Sequence, residues 1–389
     1  MFASFAFLYY FCSMIKIKRV ETKRELKQFV QFYYDLYRGC NSAVPFLYSD
    51  EMTTLRRDKN PSFECCEAEY FLAYKNGKIV GRVAAIINHR ANERWNCKQV
   101  RFGWFDFIDD EEVSKALLKA VEDWGKAKSM TEIAGPLGFI DTDREGMLVE
   151  GFDQLATMYI NYNYPYYPKH IENLGGFYKD NDYVECKVKV PEQVPAKFAK
   201  ITQMVRDRYG LRVHKFTRKE LINDGWGREV FHLLNATYKD LYGFSELSQR
   251  QIDKLVNDYI KIADLNLVTA IMDGDKMVGF GITFPSFSRT LQRTRDGKFL
   301  PFGWWELLKT LKWHNTDTVD LLLIGVLPEY RGKGANALIF DDLIRQFQQY
   351  GFKWAETGPQ MESNEGVLSQ WQYLEAEIHR RHRCYRKKL

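Results

Sequence analysis

The chain has 389 residues, of which 45% are hydrophobic and 28% are charged. This length suits two average domains, and the composition is ordinary for a globular protein. The formal net charge of +5 is small for this size, which argues against bulk binding of nucleic acid. Seven cysteines without C-x-x-C spacing predict a reduced, cytoplasmic protein, and we expect no metal site.

The chain begins with an apolar run, MFASFAFLYYFCS, and its first basic residue is Lys16. A signal peptide normally has a basic flank before such a run, and a transmembrane helix needs roughly 20 apolar residues. We therefore favour the interpretation of residues 1–13 as a misassigned start over the alternative of a membrane anchor, and we expect no membrane partner. A strand-like segment, MIKIKRV, begins at Met14.

Further along, the chain carries one series of predicted elements twice. A hairpin with an Asn-Gly or Asp-Gly turn is predicted at 70–88 and again at 266–284. Each hairpin precedes an amphipathic helix and a short strand, predicted at 113–126 and 131–136 in the first copy and at 335–350 and 353–359 in the second. Prolines in VKVPEQVPAK, residues 188–197, interrupt the strand pattern between the copies. The sequence thus predicts two α+β domains, 14–190 and 191–389.

The segment IGVLPEYRGKGANALIF, residues 324–340, predicts a strand ending at Val326, a glycine-containing turn and a helix from about Gly334. Free N–H groups and the helix dipole favour an anion at such a helix N-terminus. Gly332 would let a phosphate approach the backbone, and Arg331 and Lys333 would add positive charge. A Walker loop is excluded, because Gly and Ala follow Lys333 where Ser or Thr is required. The alternative is an ordinary strand-to-helix loop with solvated basic residues.

This turn resembles the acetyl-CoA motif of the GCN5-related N-acetyltransferase (GNAT) superfamily, written R/Q-x-x-G-x-G/A. The matching residues are Arg331, Gly332, Lys333, Gly334 and Ala335, whereas Asn336 departs from the small residue usual at the last position. The resemblance implies a mixed α+β sandwich of two tandem GNAT-like domains, each with a mostly antiparallel central sheet flanked by helices. It also implies acetyl-CoA, or another acyl-CoA, as co-substrate, bound in a V-shaped gap by backbone groups around Ile324 and Val326.

A second GNAT-like signature is ESNEGVLSQWQYLEAEI, residues 362–378. The resemblance implies that Asn364 faces the thioester arm of CoA. Trp371 stands where the family usually has the tyrosine that protonates the leaving thiolate, so the usual general acid is missing. The remaining candidates for acid or base are Glu329, Glu356, Tyr373 and Asp320.

The first copy differs at the turn, because the acidic residues 109–112 replace the Arg-Gly-Lys-Gly sequence. They would cap the following helix but repel a pyrophosphate, so we expect no CoA in the first domain. Segment 285–309 separates the second hairpin from the central strand and is expected to cover the acceptor site. The basic stretch 379–389 is interpreted as the last strand and not as a nucleic-acid site.

The resemblance thus implies an acyl-CoA-dependent N-acyltransferase, with acetyl as the expected acyl group and the cofactor site in the C-terminal domain. The acceptor stays open among small amines, amino acids, antibiotics, peptides and sugars, and the oligomeric state also stays open. Two alternatives remain. One is a non-catalytic protein that binds CoA or another anion, and the other is an aminoacyltransferase similar to the FemA-type enzymes.

Overall fold

The computed structural model describes residues 14–241, 243–260 and 262–389. The predicted misassigned start at 1–13 lies outside these residues. The described chain forms two compact units. The first unit contains residues 14–183, 295–298 and 380–389, and the second contains the described parts of 184–294 and 299–379.

In the first unit, the strands are β1 (Lys16–Arg19), β2 (Cys66–Lys75), β3 (Lys78–Asn88), β4 (Gln99–Phe107), β5 (Glu132–Gly135), β6 (Met147–Glu150) and the first part of β7 (Tyr178–Lys189). The helices are α1 (Lys23–Leu36), α2 (Tyr48–Thr54), α3 (His89–Arg94), α4 (Glu111–Ala127) and α5 (Tyr166–Leu174), with a 3-10 turn at Pro61–Glu64. Strands β2 and β3 are joined by Asn76 and Gly77, both at positive φ, as a tight hairpin requires.

In the second unit, the helices are α6 (Ala196–Tyr209), α7 (Arg218–Ile222), α8 (Trp226–Tyr238), α9 (Gln249–Ile260), α10 (Ser288–Gln292), α11 (Gly303–Trp313), α12 (Ala335–Tyr350) and α13 (Glu365–Leu368). The strands are β8 (Arg212–His214), β9 (Val268–Asp273), β10 (Lys276–Pro285), β11 (Thr318–Val326), β12 (Trp354–Thr357) and β13 (Gln360–Met361), together with the last part of β7 and the first part of β14 (Ala376–Lys388). Short 3-10 turns lie at Leu265–Leu267, Pro328–Tyr330 and Trp371–Tyr373.

Both units have the same order of strands around a central strand. In the first unit, β4 pairs antiparallel with β3 and parallel with β5. In the second unit, β11 pairs antiparallel with β10 and parallel with β12. A helix connects the two parallel strands in each unit, α4 in the first and α12 in the second. The predicted hairpins, helices and following strands are therefore confirmed, as is the mixed, mostly antiparallel fold class.

The last strand departs from the predicted domain division, which assigned all of 191–389 to the second domain. Residues 380–389 belong to the first unit, because β14 pairs antiparallel with β5, from Tyr385 opposite Gly135 to Lys388 opposite Glu132. Its side chains Cys384 and Tyr385 are buried. The first unit is thus completed by the end of the chain.

The core of the second unit lies between the sheet and two packed helices, α6 and α12. Apolar side chains recur on the inner face of α12 with helical spacing, and they include Leu338, Ile339, Leu343, Ile344 and Phe347. They contact buried residues of α6 and of the strands in one cluster. This packing fixes the N-terminus of α12 beside the end of β11.

Candidate functional site

The predicted anion-binding turn lies between β11 and α12. The strand ends at Val326, one 3-10 turn follows, and the helix begins at Ala335. Gly332 has a φ of 77° and Gly334 a φ of 87°, a backbone conformation that side chains other than glycine rarely adopt. The two glycines therefore set the path of the chain into the helix.

The two glycines face different surroundings. A Cβ atom on Gly334 would lie 2.6 Å from Val205 Cγ2 and 2.9 Å from Ile201 Cγ2, so this glycine lets the turn pack against α6. A Cβ atom on Gly332 would meet nothing within 4 Å. Gly332 thus lies on the open side of the turn, where a ligand could approach the backbone.

Helix α12 begins without a side-chain cap on its first turn. Among the residues that the structure describes, no acceptor pairs with the backbone N–H groups of Gly332, Gly334, Ala335 and Asn336. Unpaired N–H groups and the positive end of the helix dipole make such a terminus favourable for an anion. The turn therefore has the donors that a phosphate group requires.

Arg331 braces this turn from within. Its Nε donates to the carbonyl oxygen of Val326 at 3.2 Å, and its Nη2 donates to the carbonyl oxygen of Thr237 at 2.9 Å. The guanidinium thus ties the end of β11 to the end of α8 and keeps a positive charge near the turn. Lys333 lies over the Tyr330 ring, with Nζ 4.6 Å from its centroid.

Beside the turn, the central strand has an open edge. Strand β11 pairs with β12 only from Thr318 to Leu321, and Gly358 N–H then donates to the carbonyl oxygen of Leu321 at 3.0 Å. Beyond this point, among the strands that the structure describes, β11 pairs with β10 alone. The four apolar residues 321–324 are each partly exposed, although they belong to a central strand. The pairing of the two strands therefore ends where the family resemblance implies a gap.

A β-bulge alters the direction of β11 at this edge. Leu323 lies opposite Ile282 and Leu321 lies opposite Thr283, so Leu322 is the additional residue. Bulges of this kind redirect backbone groups and often lie next to active sites. The bulge marks the place where the pairing with β12 stops.

The carbonyl groups of Ile324 and Val326 point to the open edge, because each accepts a hydrogen bond from outside the sheet. Tyr238 Oη donates to the Ile324 carbonyl at 3.1 Å, and Arg331 Nε donates to the Val326 carbonyl. The N–H and C=O groups of one strand residue point to the same side. The N–H groups of Ile324 and Val326 are therefore directed to this edge as well.

Sequence reasoning missed Tyr238, the last residue of α8. Its side chain is partly buried, and this loss of solvation raises the pKa of its hydroxyl to about 12, so it is a neutral phenol at physiological pH. A signal for it was present in the sequence, because NATYKDLYG, residues 235–243, resembles QFYYDLYRG, residues 31–39, at the corresponding place before the first hairpin. Only the fold shows that this helix end reaches the carbonyl of Ile324.

Asn364 and Trp371 follow α12 in the sequence. Asn364 immediately precedes α13, and its side chain makes no capping hydrogen bond there. Trp371 is buried, its Nε1 donates to Gln360 Oε1 at 2.8 Å, and its ring centroid lies 5.6 Å from that of Phe340 on α12. The indole that replaces the usual tyrosine is thus a packing residue of the core.

The four predicted acid or base residues are scattered over the second unit. Glu329 is exposed, and its own backbone N–H and the Lys276 ammonium group lower its pKa, which makes it a weak base. Tyr373 is exposed, with Lys197 Nζ 3.4 Å from its ring centroid. Asp320 is buried on β11, directly beside Glu356 on the parallel strand β12. The structure thus brings only Asp320 and Glu356 together.

The corresponding turn of the first unit is closed. Asp110 caps α4, because its Oδ1 accepts from Glu112 N–H at 3.1 Å, and Lys75 Nζ lies 2.5 Å from its Oδ2. The capping predicted for the acidic residues 109–112 is therefore confirmed for Asp110. A carboxylate thus occupies the N-terminus of α4, whereas the N-terminus of α12 has no side-chain cap.

The edge of the central strand is also filled in the first unit. Phe107 lies opposite Gly81 as Val326 lies opposite Gly279. Phe107 N–H donates to Tyr167 Oη at 3.1 Å, and Tyr166 Oη donates to the Phe107 carbonyl at 2.5 Å. Side chains of α5 thus take the backbone groups whose equivalents face the open edge in the second unit.

Comparison with known proteins gives relatives of similar length. No family model matches the chain. It is 28% identical over 378 residues to Protein YghO of Escherichia coli strain K12, with 94% of each chain covered. It is 25% identical over 324 residues to the bacterial ceramide synthase of Caulobacter vibrioides, with 80% of each chain covered.

Solved structures match nearly the whole chain at low identity. A tandem GNAT protein from the clavulanic acid biosynthesis pathway superposes with a TM-score of 0.56 at 11% identity, over 96% of this chain and 98% of that chain. A GCN5-related N-acetyltransferase from Sphaerobacter thermophilus superposes with a TM-score of 0.52 at 9% identity, over 96% and 95%. The open central strand and glycine-containing turn of the second unit lie within this matched fold. The chain therefore has the fold of the GCN5-related N-acetyltransferases in its tandem, two-domain form.

Proposed function

We propose that the protein is an acyl-CoA-dependent N-acyltransferase whose second unit binds the acyl-CoA. The observation that carries this proposal is the uncapped N-terminus of α12 beside the open edge of β11. The residues present fit the cofactor, since free N–H groups suit a pyrophosphate and an apolar strand edge suits a pantetheine arm. The first unit offers neither feature, because Asp110 and the tyrosines of α5 occupy the corresponding positions.

In this proposal, the backbone from Gly332 to Asn336 holds the phosphates, and the edge of β11 holds the arm. Acyl-CoA supplies an activated thioester when bound. The N–H groups of Ile324 and Val326 are placed to donate to a carbonyl oxygen at the edge, which stabilises the negative charge that develops there during attack by an amine. Most of the rate enhancement then comes from positioning and from these donors.

Proton transfer needs less help at the leaving group than at the amine. A thiol has a pKa near 8.5, so a thiolate can leave without a general acid, whose assistance is typically worth about 10² to 10⁴-fold. This is consistent with the packing role of Trp371. Glu356 and Tyr373 stay predictions as acid or base, and Asn364 stays a prediction as a residue that faces the arm.

We propose a long-chain amine as the first acceptor class to test. One relative is called a bacterial ceramide synthase, and a ceramide is the amide of a long-chain amino alcohol. The GNAT resemblance implies an acetyl group. The partly exposed apolar residues 321–324 would also suit a longer acyl chain. The acyl length therefore belongs in the same experiment.

The alternative is a protein that binds CoA without turnover, which the burial of Trp371 in the core favours. The test incubates the protein with acetyl-CoA or acyl-CoAs of increasing length and with a panel of amines, and mass spectrometry detects the amide and free CoA. Formation of amide and CoA in equal amounts supports the transferase. Cofactor binding without any amide across the panel supports the binding protein instead.

A further inference from the structure

Helix α11 and the residues before it present large apolar side chains to solvent. Leu300 and Phe302 are each 75% exposed, and Trp304, Trp305 and Trp313 are 49%, 40% and 54% exposed. Together with Phe299, these residues form what we call the tryptophan face. Soluble proteins rarely leave such a group of adjacent apolar side chains exposed without a partner.

The exposure does not come from a loosely held helix. Gly303, Leu307 and Thr310 recur at helical spacing and are buried against the rest of the second unit. The hydroxyl of Thr310 lies 2.6 Å from that of Thr290 on α10, and both threonines are buried. The inner side of α11 is therefore fixed, and its tryptophans lie on the outer side, where polar residues are usual.

The tryptophans contact one another on this outer side. The ring centroids of Trp304 and Trp305 are 5.7 Å apart, as are those of Trp305 and Trp313, and both pairs meet edge to face. Such contacts hold the rings as a single apolar surface. The three tryptophans of this 11-residue helix thus form one connected apolar surface.

Cationic side chains surround this surface. Lys309 Nζ lies 5.7 Å from the Trp305 centroid, and Lys312 Nζ lies 5.6 Å from the Trp313 centroid. On and after α10, Arg289 and Arg293 are exposed. Two carboxylates lie among these four cations. Glu306 pairs with Lys309 and Arg293, and Asp317 lines a surface pocket together with Lys309 and Trp313, so positive charge is in excess.

Tryptophan combined with lysine is the composition that suits the boundary between lipid headgroups and acyl chains. The rings enter the apolar boundary, while lysines reach the headgroups on their flexible stems. Excess positive charge favours anionic lipids, at roughly 1 kcal/mol for each basic side chain near the surface. Charge complementarity thus points to one kind of partner.

We propose that the tryptophan face docks the protein on the surface of a bilayer that contains anionic lipid. The expectation of no membrane partner came from a search for membrane-spanning segments. None of the described helices is long and apolar enough to cross a membrane. Surface docking needs no such helix, since an amphipathic segment can lie in the interface. The proposal stands independently of the acyltransferase activity.

The test measures cosedimentation of the full chain with two kinds of vesicle. One kind is phosphatidylcholine alone, and the other is an equal mixture of phosphatidylcholine and phosphatidylglycerol. The test variant is Leu300→Glu/Phe302→Glu, and both positions are too exposed for the change to disturb the core. The matched control is Ile222→Glu/Ile262→Glu, which adds the same charge at exposed apolar positions elsewhere in the second unit.

We expect the wild type and the control to bind the anionic vesicles with the same affinity and the test variant to bind at least tenfold more weakly. Wild-type tryptophan emission should shift to the blue with anionic vesicles. No binding by the wild type, equal binding to both vesicle types, or an equal loss in the control would overturn the proposal. Concentration-dependent self-association that the test variant abolishes, without vesicle binding, would assign the face to a second copy of the chain instead.

Discussion

A single hydroxyl group links helix α8 to the open edge of the central strand. Tyr238 donates to the carbonyl of Ile324 at 3.1 Å and is partly buried. A neutral hydrogen bond is worth about 1 kcal/mol, and its loss would let the edge shift relative to the bulge. Tyr238 thus acts as a positioning residue for the N–H groups of the edge.

For Tyr238→Phe, we expect kcat to fall about fivefold with little change in KM for acyl-CoA, because the loss concerns alignment and not cofactor affinity. Steady-state kinetics measures both values. The control is Tyr350→Phe, which removes a hydroxyl that accepts from Asn266 Nδ2 at 2.8 Å on α12. An unchanged kcat in Tyr238→Phe, or an equal fall in the control, would remove the positioning role.

A partly buried carboxyl group, Glu145, makes the stability of the first unit depend on pH. Burial, reinforced by the charge of Asp141, raises the pKa of Glu145 to about 8. The unfolded chain has a glutamate pKa near 4.3, so between these values the folded state holds a proton that the unfolded state has lost. The stabilisation is complete below about pH 4.3, declines as pH rises, and is lost above about pH 8.

For Glu145→Gln, we therefore expect the unfolding free energy of the first unit to fall less between pH 5 and pH 8 than in the wild type, because the amide does not titrate. Chemical denaturation across this range measures the slope. Glu93→Gln, at an exposed position of the same unit, should keep the wild-type slope. Parallel slopes for the wild type and Glu145→Gln would contradict the account.

At the level of elements, the two helices that follow the central strands differ in their first turn. Helix α4 begins with Asp110, which caps its N–H groups, whereas α12 begins after Gly334 without a cap. A cap stabilises a helix by about 1 kcal/mol, whereas an open N-terminus leaves donors for a ligand. One element type thus serves stability in the first unit and, in our proposal, binding in the second.

For Asp110→Ala, we expect a loss of about 1 kcal/mol in the unfolding free energy of the first unit, because both the cap and the Lys75 contact disappear. Asp110→Asn should lose less, since its amide oxygen can still accept from Glu112 N–H. Urea denaturation monitored by circular dichroism measures both values. Equal losses would assign the effect to the ion pair, and no loss in either would contradict the capping role.

Sequence periodicity predicted the hairpins and the two long helices, because their apolar spacing is local. The predicted helix over 335–350 begins and ends where α12 does. The sequence also located both glycines of the turn. It could not show that the Arg331 guanidinium reaches the carbonyl of Thr237, or that Tyr238 reaches β11, because these contacts join residues 94 and 86 positions apart.

At the scale of the whole molecule, the path of the last strand decides how the chain is divided. Residues 380–389 complete the first unit by pairing with β5, although more than 180 residues of the second unit precede them along the chain. A boundary near 190 follows from the repeat, but local patterns cannot show which sheet a final strand joins. The two repeats are therefore not two independent serial domains.

For the isolated fragment 14–190, we expect no cooperative unfolding, because its sheet lacks β14 and the buried Cys384 and Tyr385. The same fragment joined through a flexible linker to residues 376–389 should unfold cooperatively. Thermal melts followed by circular dichroism compare the two. Cooperative unfolding of 14–190 alone would show that the last strand is dispensable.

The central claim is that the open N-terminus of α12 binds CoA, and calorimetric titration with acetyl-CoA tests it most directly. Gly332→Asp places a carboxylate at that terminus, whereas Gly351→Asp places one at the other end of the helix. The two glycines have φ values of 77° and 76°, and a Cβ atom on either would meet nothing within 4 Å, so the backbone strain is matched.

We predict micromolar binding by the wild type, an at least tenfold weaker affinity in Gly332→Asp, and wild-type affinity in Gly351→Asp. Absence of wild-type binding would contradict the account. An equal loss of acetyl-CoA affinity in both variants would also contradict it. So would wild-type affinity in Gly332→Asp.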